Sequence, residues 1–175
     1  MILTLTSYTP LPCCALKACF TLKLVYMSTL PINLLLADDD TDDCFFFKEA
    51  IEEIPITVHL TTVNDGEQLM QLISSKEAPL PDAIFIDLNM PRKSGIECLE
   101  EIKTLDKFIN LPIFIYSTAL NREVVDLLYE KGAHYYICKP AEFDNLKKIL
   151  SKAITIIAQN KSTQPPRGDF ILNPN

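Results

Sequence analysis

A chain of 175 residues has the length of one domain with an adequate core. Its 48% hydrophobic and 22% charged content suits a globular protein and excludes a disordered or fibrous one. A net charge of -7, with no cluster of Lys and Arg, argues against a nucleic-acid partner, because a phosphate footprint needs gathered cations.

The first 27 residues differ from the rest: they hold no acid, and their only charges are Lys17 and Lys23. No basic stretch precedes an apolar one as in a signal peptide, and Pro10, Pro12 and the two lysines break any membrane span. Residues 1–28 are expected to be a non-globular extension, and Met27 is the better-placed start. A single globular domain is expected over 29–159. The polar, Pro-containing stretch 160–175 reads as a disordered tail, and its Arg167-Gly168-Asp169 triplet carries no weight.

From Ile32 onward strands and helices alternate. Ile32 to Ala37 is an apolar run that ends in Asp38-Asp39-Asp40. Thr41 to Glu53 reads as a helix with Phe46, Phe47, Ala50 and Ile51 on its inner face, which leaves Phe45 for a flank or a docking surface. Thr41, Asp42 and Asp43 suit a helix start, where orphan amides and the dipole favour acceptors. Ile56 to Val63 alternates as a strand, Asn64-Asp65-Gly66 turns, and Glu67 to Ser74 is a short helix. The third strand, Ala83 to Ile86, ends in Asp87. Gly95 opens a helix to Lys103 with Ile96, Leu99 and Ile102 inward. The fourth strand, Ile113 to Tyr116, is followed by Ser117. Asn121 caps a fourth helix that stops at Gly132. Tyr135 to Cys138 forms the last strand, ending in Lys139-Pro140, with one tyrosine ring packed and one exposed. The final helix runs from about Glu142 to Ala158, with Leu146, Ile149, Leu150, Ala153 and Ile157 inward.

Five βα units with short links give a parallel, doubly wound α/β sheet covered on both faces. Ligands of such sheets bind at the carboxyl ends of the strands. Asp38, Asp39, Asp87, Ser117 and Lys139 all fall there. Taken singly, each has a bland reading as a cap, a turn residue or a surface lysine; their conjunction at one sheet edge does not. Gathered carboxylates need a cation beyond Lys139, and a hard divalent ion with oxygen ligands supplies it, Mg2+ before Ca2+. Asp87 beside such an ion and a lysine is a competent nucleophile toward phosphorus. Cys13, Cys14, Cys19, Cys44, Cys98 and Cys138 form no C-x-x-C pair, and His59 and His134 lie far from any cysteine cluster, so a zinc site is not expected. The cysteine pattern suits a reducing cytoplasm.

The strings Leu-Leu-Leu-Ala-Asp38-Asp39-Asp40, Ile-Phe-Ile-Asp87-Leu-Asn89-Met90-Pro91, Ser117-Thr118-Ala119 and Tyr136-Ile137-Cys138-Lys139-Pro140 resemble a response-regulator receiver domain of two-component signalling, over about Ile32 to Ala158. The resemblance implies a flavodoxin-like (βα)5 fold with strand order 2-1-3-4-5. It implies Asp87 as phosphoacceptor, and Asp38, Asp39, Asp87 and the Asn89 carbonyl as Mg2+ ligands. Lys139 and Ser117 would contact the phosphoryl group, Ser117 and Tyr136 would form the switch, and Pro140 would follow a cis bond. The expected partners are a sensor histidine kinase or a histidine phosphotransfer protein, and a downstream protein bound through the face of the fourth helix, fifth strand and fifth helix. No nucleic acid or membrane is expected, and no enzyme beyond self-phosphorylation and self-dephosphorylation. The expected protein is a stand-alone regulator. Ser94 stands where many relatives have Asp, and Ala119 where they often carry a polar group.

Two other readings are open. A haloacid-dehalogenase-like phosphatase also uses a strand-end Asp, but Asp42 occupies the position where its signature has Thr or Val, and no cap domain is evident. A flavodoxin-like FMN carrier needs a Ser/Thr/Gly-rich phosphate loop after the first strand, and the acidic run opposes one.

Overall fold

The computed structural model describes residues 31–75, 80–159 and 163–174. The expectations for residues 1–28 and for a start at Met27 therefore lie outside the described residues, whereas the tail is described from Thr163 to Pro174.

The chain alternates β1 (Ile32–Ala37), α1 (Thr41–Glu52), β2 (Val58–Val63), α2 (Gly66–Ser74), β3 (Ala83–Ile86), α3 (Gly95–Thr104), β4 (Ile113–Ser117), α4 (Arg122–Glu130), β5 (Tyr135–Cys138) and α5 (Phe143–Ala158). All strand pairs are parallel, in the order β2-β1-β3-β4-β5. Strand alternation sends successive side chains to opposite faces. Leu35, Ile84, Ile86, Ile113, Ile115 and Tyr136 therefore face α2, α3 and α4, where Leu69, Leu99 and Leu128 meet them. Leu34, Leu36, Phe85, Phe114, Tyr135 and Ile137 face α1 and α5, where Phe47, Ile51, Ile149 and Leu150 meet them. On that second face Phe85, Phe114 and Tyr135 stack in a row, with centroids 4.7 and 5.3 Å apart.

Burial on both faces explains why β3 is apolar throughout and β4 is apolar up to Ser117. It also corrects one expectation. Tyr135 and Tyr136 are both buried, because each ring faces a covered side of the sheet. A second correction falls on α1: Phe47, Ala50 and Ile51 are buried, but Phe46 is as open as Phe45. The helix lies against the sheet along a narrower stripe than its apolar residues suggest.

Local signals placed the helix ends well. Asp40 caps α1, accepting from Asp42 N at 2.8 Å and Asp43 N at 3.2 Å. Asn121 caps α4 through Glu123 N, and Gly132 takes the left-handed conformation (φ 86°) after that helix. Ser94 and Glu97 form a reciprocal capping box at α3.

The expected disordered tail is overturned for residues 163–174. Tyr136 N donates to Phe170 O at 2.9 Å, and Leu172 N donates to Tyr136 O at 2.8 Å, in a parallel bridge on the open edge of β5. Phe170 is fully buried against the α4 side of the sheet. The physical reason is that an edge strand carries unpaired amides and carbonyls, and Phe170-Ile171-Leu172 is apolar enough to cover them.

Candidate functional site

The parallel sheet delivers Asp38, Asp87 and Lys139 to one edge by backbone pairing. Asp38 N bonds Val63 O at 3.0 Å, Asp87 N bonds Ala37 O at 2.9 Å, and Lys139 N bonds Ser117 O at 2.9 Å. The strand ends are therefore level, and their next side chains converge.

Asp38, Asp39 and Asp87 offer oxygens within 4.8 Å of one another, the group of side chains among the described residues that could share a metal ion. Asp38 is fully buried, Asp87 nearly so, and Asp39 open to solvent. Lys139 Nζ lies 2.7 Å from Asp38 Oδ2, 2.8 Å from Asp43 Oδ2 and 3.8 Å from Asp87 Oδ1. It also sits 5.1 Å from the Tyr116 ring centroid. Asn89 N donates to Asp87 Oδ2 at 3.3 Å, which turns the loop after β3 over the carboxylate.

The electrostatics follow from burial. Desolvation pushes the Asp38 carboxyl up to about 6, although Lys139 and the Asp40 amide pull the other way. For Lys139 burial opposes the charged form, but the hydrogen bonds to Asp38 and Asp43 outweigh it and hold the ammonium above its ordinary value. One ammonium thus faces the three clustered carboxylates and Asp43 as well. The donor set is all oxygen, acidic and partly open to water, which fits a hard divalent cation.

The structure brings Asp38, Asp39, Asp87 and Lys139 together as the sequence suggested. Asn89 lines the same open cleft, with Asp43 and Thr118. Ser117 ends β4 at this edge, but its hydroxyl is fully buried beneath the cleft. Tyr136 is fully buried, and its hydroxyl donates to the Ala119 carbonyl in the loop after β4. The Lys139–Pro140 bond is trans, since the described residues hold no cis peptide, so the expected cis-proline is corrected. Trans is the lower-energy form even before proline, and in it Lys139 already reaches both Asp38 and Asp43.

Two contributors escaped the sequence reading. Asp43 reads there as a dipole partner of α1, yet it shares Lys139 with Asp38. Residues 43 and 139 meet only because the fold brings the start of α1 and the end of β5 to the same edge of the sheet. Gly95 reads as a helix start. A Cβ there would stand 2.2 Å from the Asp87 carbonyl oxygen, so the glycine lets α3 approach the strand end that carries Asp87.

A family model described as the response regulator receiver domain matches residues 34–151. Among curated proteins, the response regulator Rcp1 of Synechocystis sp. is 28% identical over 127 residues, covering 70% of this chain and 86% of Rcp1. The protein named "Probable C4-dicarboxylate response regulator DctR" of Bacillus subtilis is 29% identical over 144 residues. That match covers 81% of this chain and 62% of DctR, so the chain spans less than two thirds of that relative. Among solved structures, the phosphorylated cyanobacterial phytochrome response regulator RcpA has a TM-score of 0.68 at 29% identity, covering 78% of this chain and 100% of RcpA. The Mn2+-bound form of Rcp1 has a TM-score of 0.66 at 27% identity, with the same coverage.

Proposed function

The chain belongs to the response regulator receiver family, and we propose from that premise that Asp87 is its phosphoacceptor. As a receiver-domain response regulator it is a signalling protein of the two-component type. The observation that carries the reading is the meeting of Asp38, Asp39 and Asp87 within 4.8 Å, beside a lysine held between carboxylates.

An Asp87 oxygen attacks the phosphorus of a phosphohistidine in line. The new O–P bond forms as the N–P bond breaks, and the imidazole leaves. Lys139, 3.8 Å from Asp87 Oδ1, stands where it can turn from the aspartates to an incoming phosphoryl oxygen. Asp38, Asp39, Asp87 and the Asn89 carbonyl would hold the cation, which supplies charge neutralisation at the phosphoryl oxygens. Mg2+ is the proposed ion, because it keeps waters and takes phosphate oxygens readily. Ser117 then leaves its buried position to hydrogen-bond the phosphoryl group. That movement carries Ala119 away from the Tyr136 hydroxyl and shifts the population of the α4–β5–α5 face.

The donor is a sensor histidine kinase or a histidine phosphotransfer protein, and a downstream protein reads the α4–β5–α5 face. Phe45 and Phe46, both exposed on α1, are offered as contacts for the donor. A cytoplasmic location is supported by the free state of Cys44, Cys98 and Cys138. Among the described residues no helix is long and apolar enough to cross a membrane.

Intact mass after incubation with acetyl phosphate and Mg2+ tests the reading. One added phosphoryl group is expected, and none in Asp87→Asn. Equal labelling of the Asp87→Asn variant would remove Asp87 from the mechanism.

A further inference from the structure

Residues 163–174 touch three elements at once. On β5 they take both outward hydrogen bonds of Tyr136 through Phe170 O and Leu172 N. On α4 and its exit, the Gln164 side-chain amide donates to Tyr129 O and Ala133 O, each at 2.7 Å. The Tyr129 hydroxyl donates to Pro165 O at 3.1 Å. Phe170 meets the Tyr129 ring edge-on at 5.1 Å, and Arg167 lies 5.4 Å from that ring's centroid while pairing with Asp126. On α5, Lys152 Nζ donates to Asn173 O at 2.9 Å. The segment therefore covers the α4–β5–α5 face, the surface assigned above to the downstream partner.

Tyr136 links this cover to the phosphorylation site. Its backbone holds the segment, its hydroxyl holds Ala119 O, and its ring shares a core cluster with Phe170, Val125 and Leu128. Ala119 stands two residues past Ser117. When Ser117 moves toward a phosphoryl group, the Tyr136 hydroxyl loses its acceptor. A close-packed interior does not deform continuously, so a new Tyr136 position must be met by Phe170 giving way.

We propose that residues 163–174 are an autoinhibitory strap: they occupy the α4–β5–α5 face in the resting chain, and phosphorylation of Asp87 releases them through Tyr136. The release step rests on the phosphoacceptor reading; the docking does not. Linkage makes the coupling reciprocal, so loosening the strap favours phosphorylation.

The test is amide exchange by NMR on the full chain, before and after acetyl phosphate with Mg2+, alongside intact mass. In the resting chain the Tyr136 and Leu172 amides should be protected. After phosphorylation their protection should fall about tenfold or more while Ile115 in β4 keeps its own. Fast exchange at both amides in the resting chain overturns the strap whether or not Asp87 is modified. Unchanged protection in a chain that carries the phosphoryl group overturns the release and leaves the phosphoacceptor standing. Failure to take up the group at all overturns the phosphoacceptor reading, and the release with it. Leu172→Pro removes the donor to Tyr136 O and should speed labelling by acetyl phosphate about threefold or more. Arg167→Ala is the second variant, should the proline disturb folding as read at Ile115. Unaltered labelling rates in a folded variant whose Tyr136 amide has become exposed would overturn the coupling.

Discussion

Asp38 is fully buried with one lysine against it, and desolvation lifts its carboxyl to about 6. The ordinary value in an unfolded chain is about 3.9. The folded state therefore holds this proton over a range where the unfolded chain has lost it. Asp38 favours folding below the lower value, and its penalty grows as pH rises through about 6 and levels off above it, on the order of 3 kcal/mol. A bound divalent cation relieves that penalty only where Asp38 is ionised. The rise in Tm on adding Mg2+ should thus be clear at about pH 7.5 and largely lost at about pH 5, as scanning calorimetry would read. Lys139→Ala leaves the buried Asp38 without its cation and should cost about 3 kcal/mol in urea unfolding with chelator present. Mg2+ should recover part of that loss; a loss indifferent to Mg2+ would mean that Lys139 acts through packing alone.

Short joints set the position of the carboxylates at the scale of elements. Gly95 and Gly132 are both glycines at helix ends, yet they differ in cause. At Gly95 a side chain would collide with the Asp87 carbonyl oxygen at 2.2 Å, and backbone cannot move aside without moving Asp87. At Gly132 the nearest atoms are Lys103 methylenes 3.6 Å and more away, and only the positive φ opposes a side chain. Gly132→Ala should cost about 1 kcal/mol and leave Mg2+ affinity unchanged. Gly95→Ala should cost more than that and weaken Mg2+ binding as well, both readable in one titration followed by thermal melts.

For the whole molecule, burial sorts the aromatic residues more sharply than composition does. Phe170 is 1% exposed and Phe46 is 50% exposed, although one sits in a polar terminal stretch and the other within an apolar helix run. Phe170→Ala should destabilise the fold by about 3–5 kcal/mol. Phe46→Ser should stay within about 0.5 kcal/mol of the parent, as surface changes do. Comparable losses in the two variants, measured by urea unfolding, would contradict the docking of residues 163–174.

The amino-acid order alone determined which residues lie at strand ends. Apolar runs stop at Asp38, Asp87 and Lys139, and a doubly wound sheet must align those stops because its strands are parallel and its links are short. It also determined most helix ends, since caps such as Asp40, Ser94 and Asn121 act within four residues. Tertiary structure decided what depends on distant neighbours. Asp43 joins Lys139 across 96 positions of chain, the two adjacent tyrosines are both covered because helices flank both sheet faces, and the open edge of β5 orders a tail that composition leaves free. Periodicity reports how a segment would bury its own side chains. It carries no information on which unpaired edge or unmatched charge another part of the chain will come to satisfy.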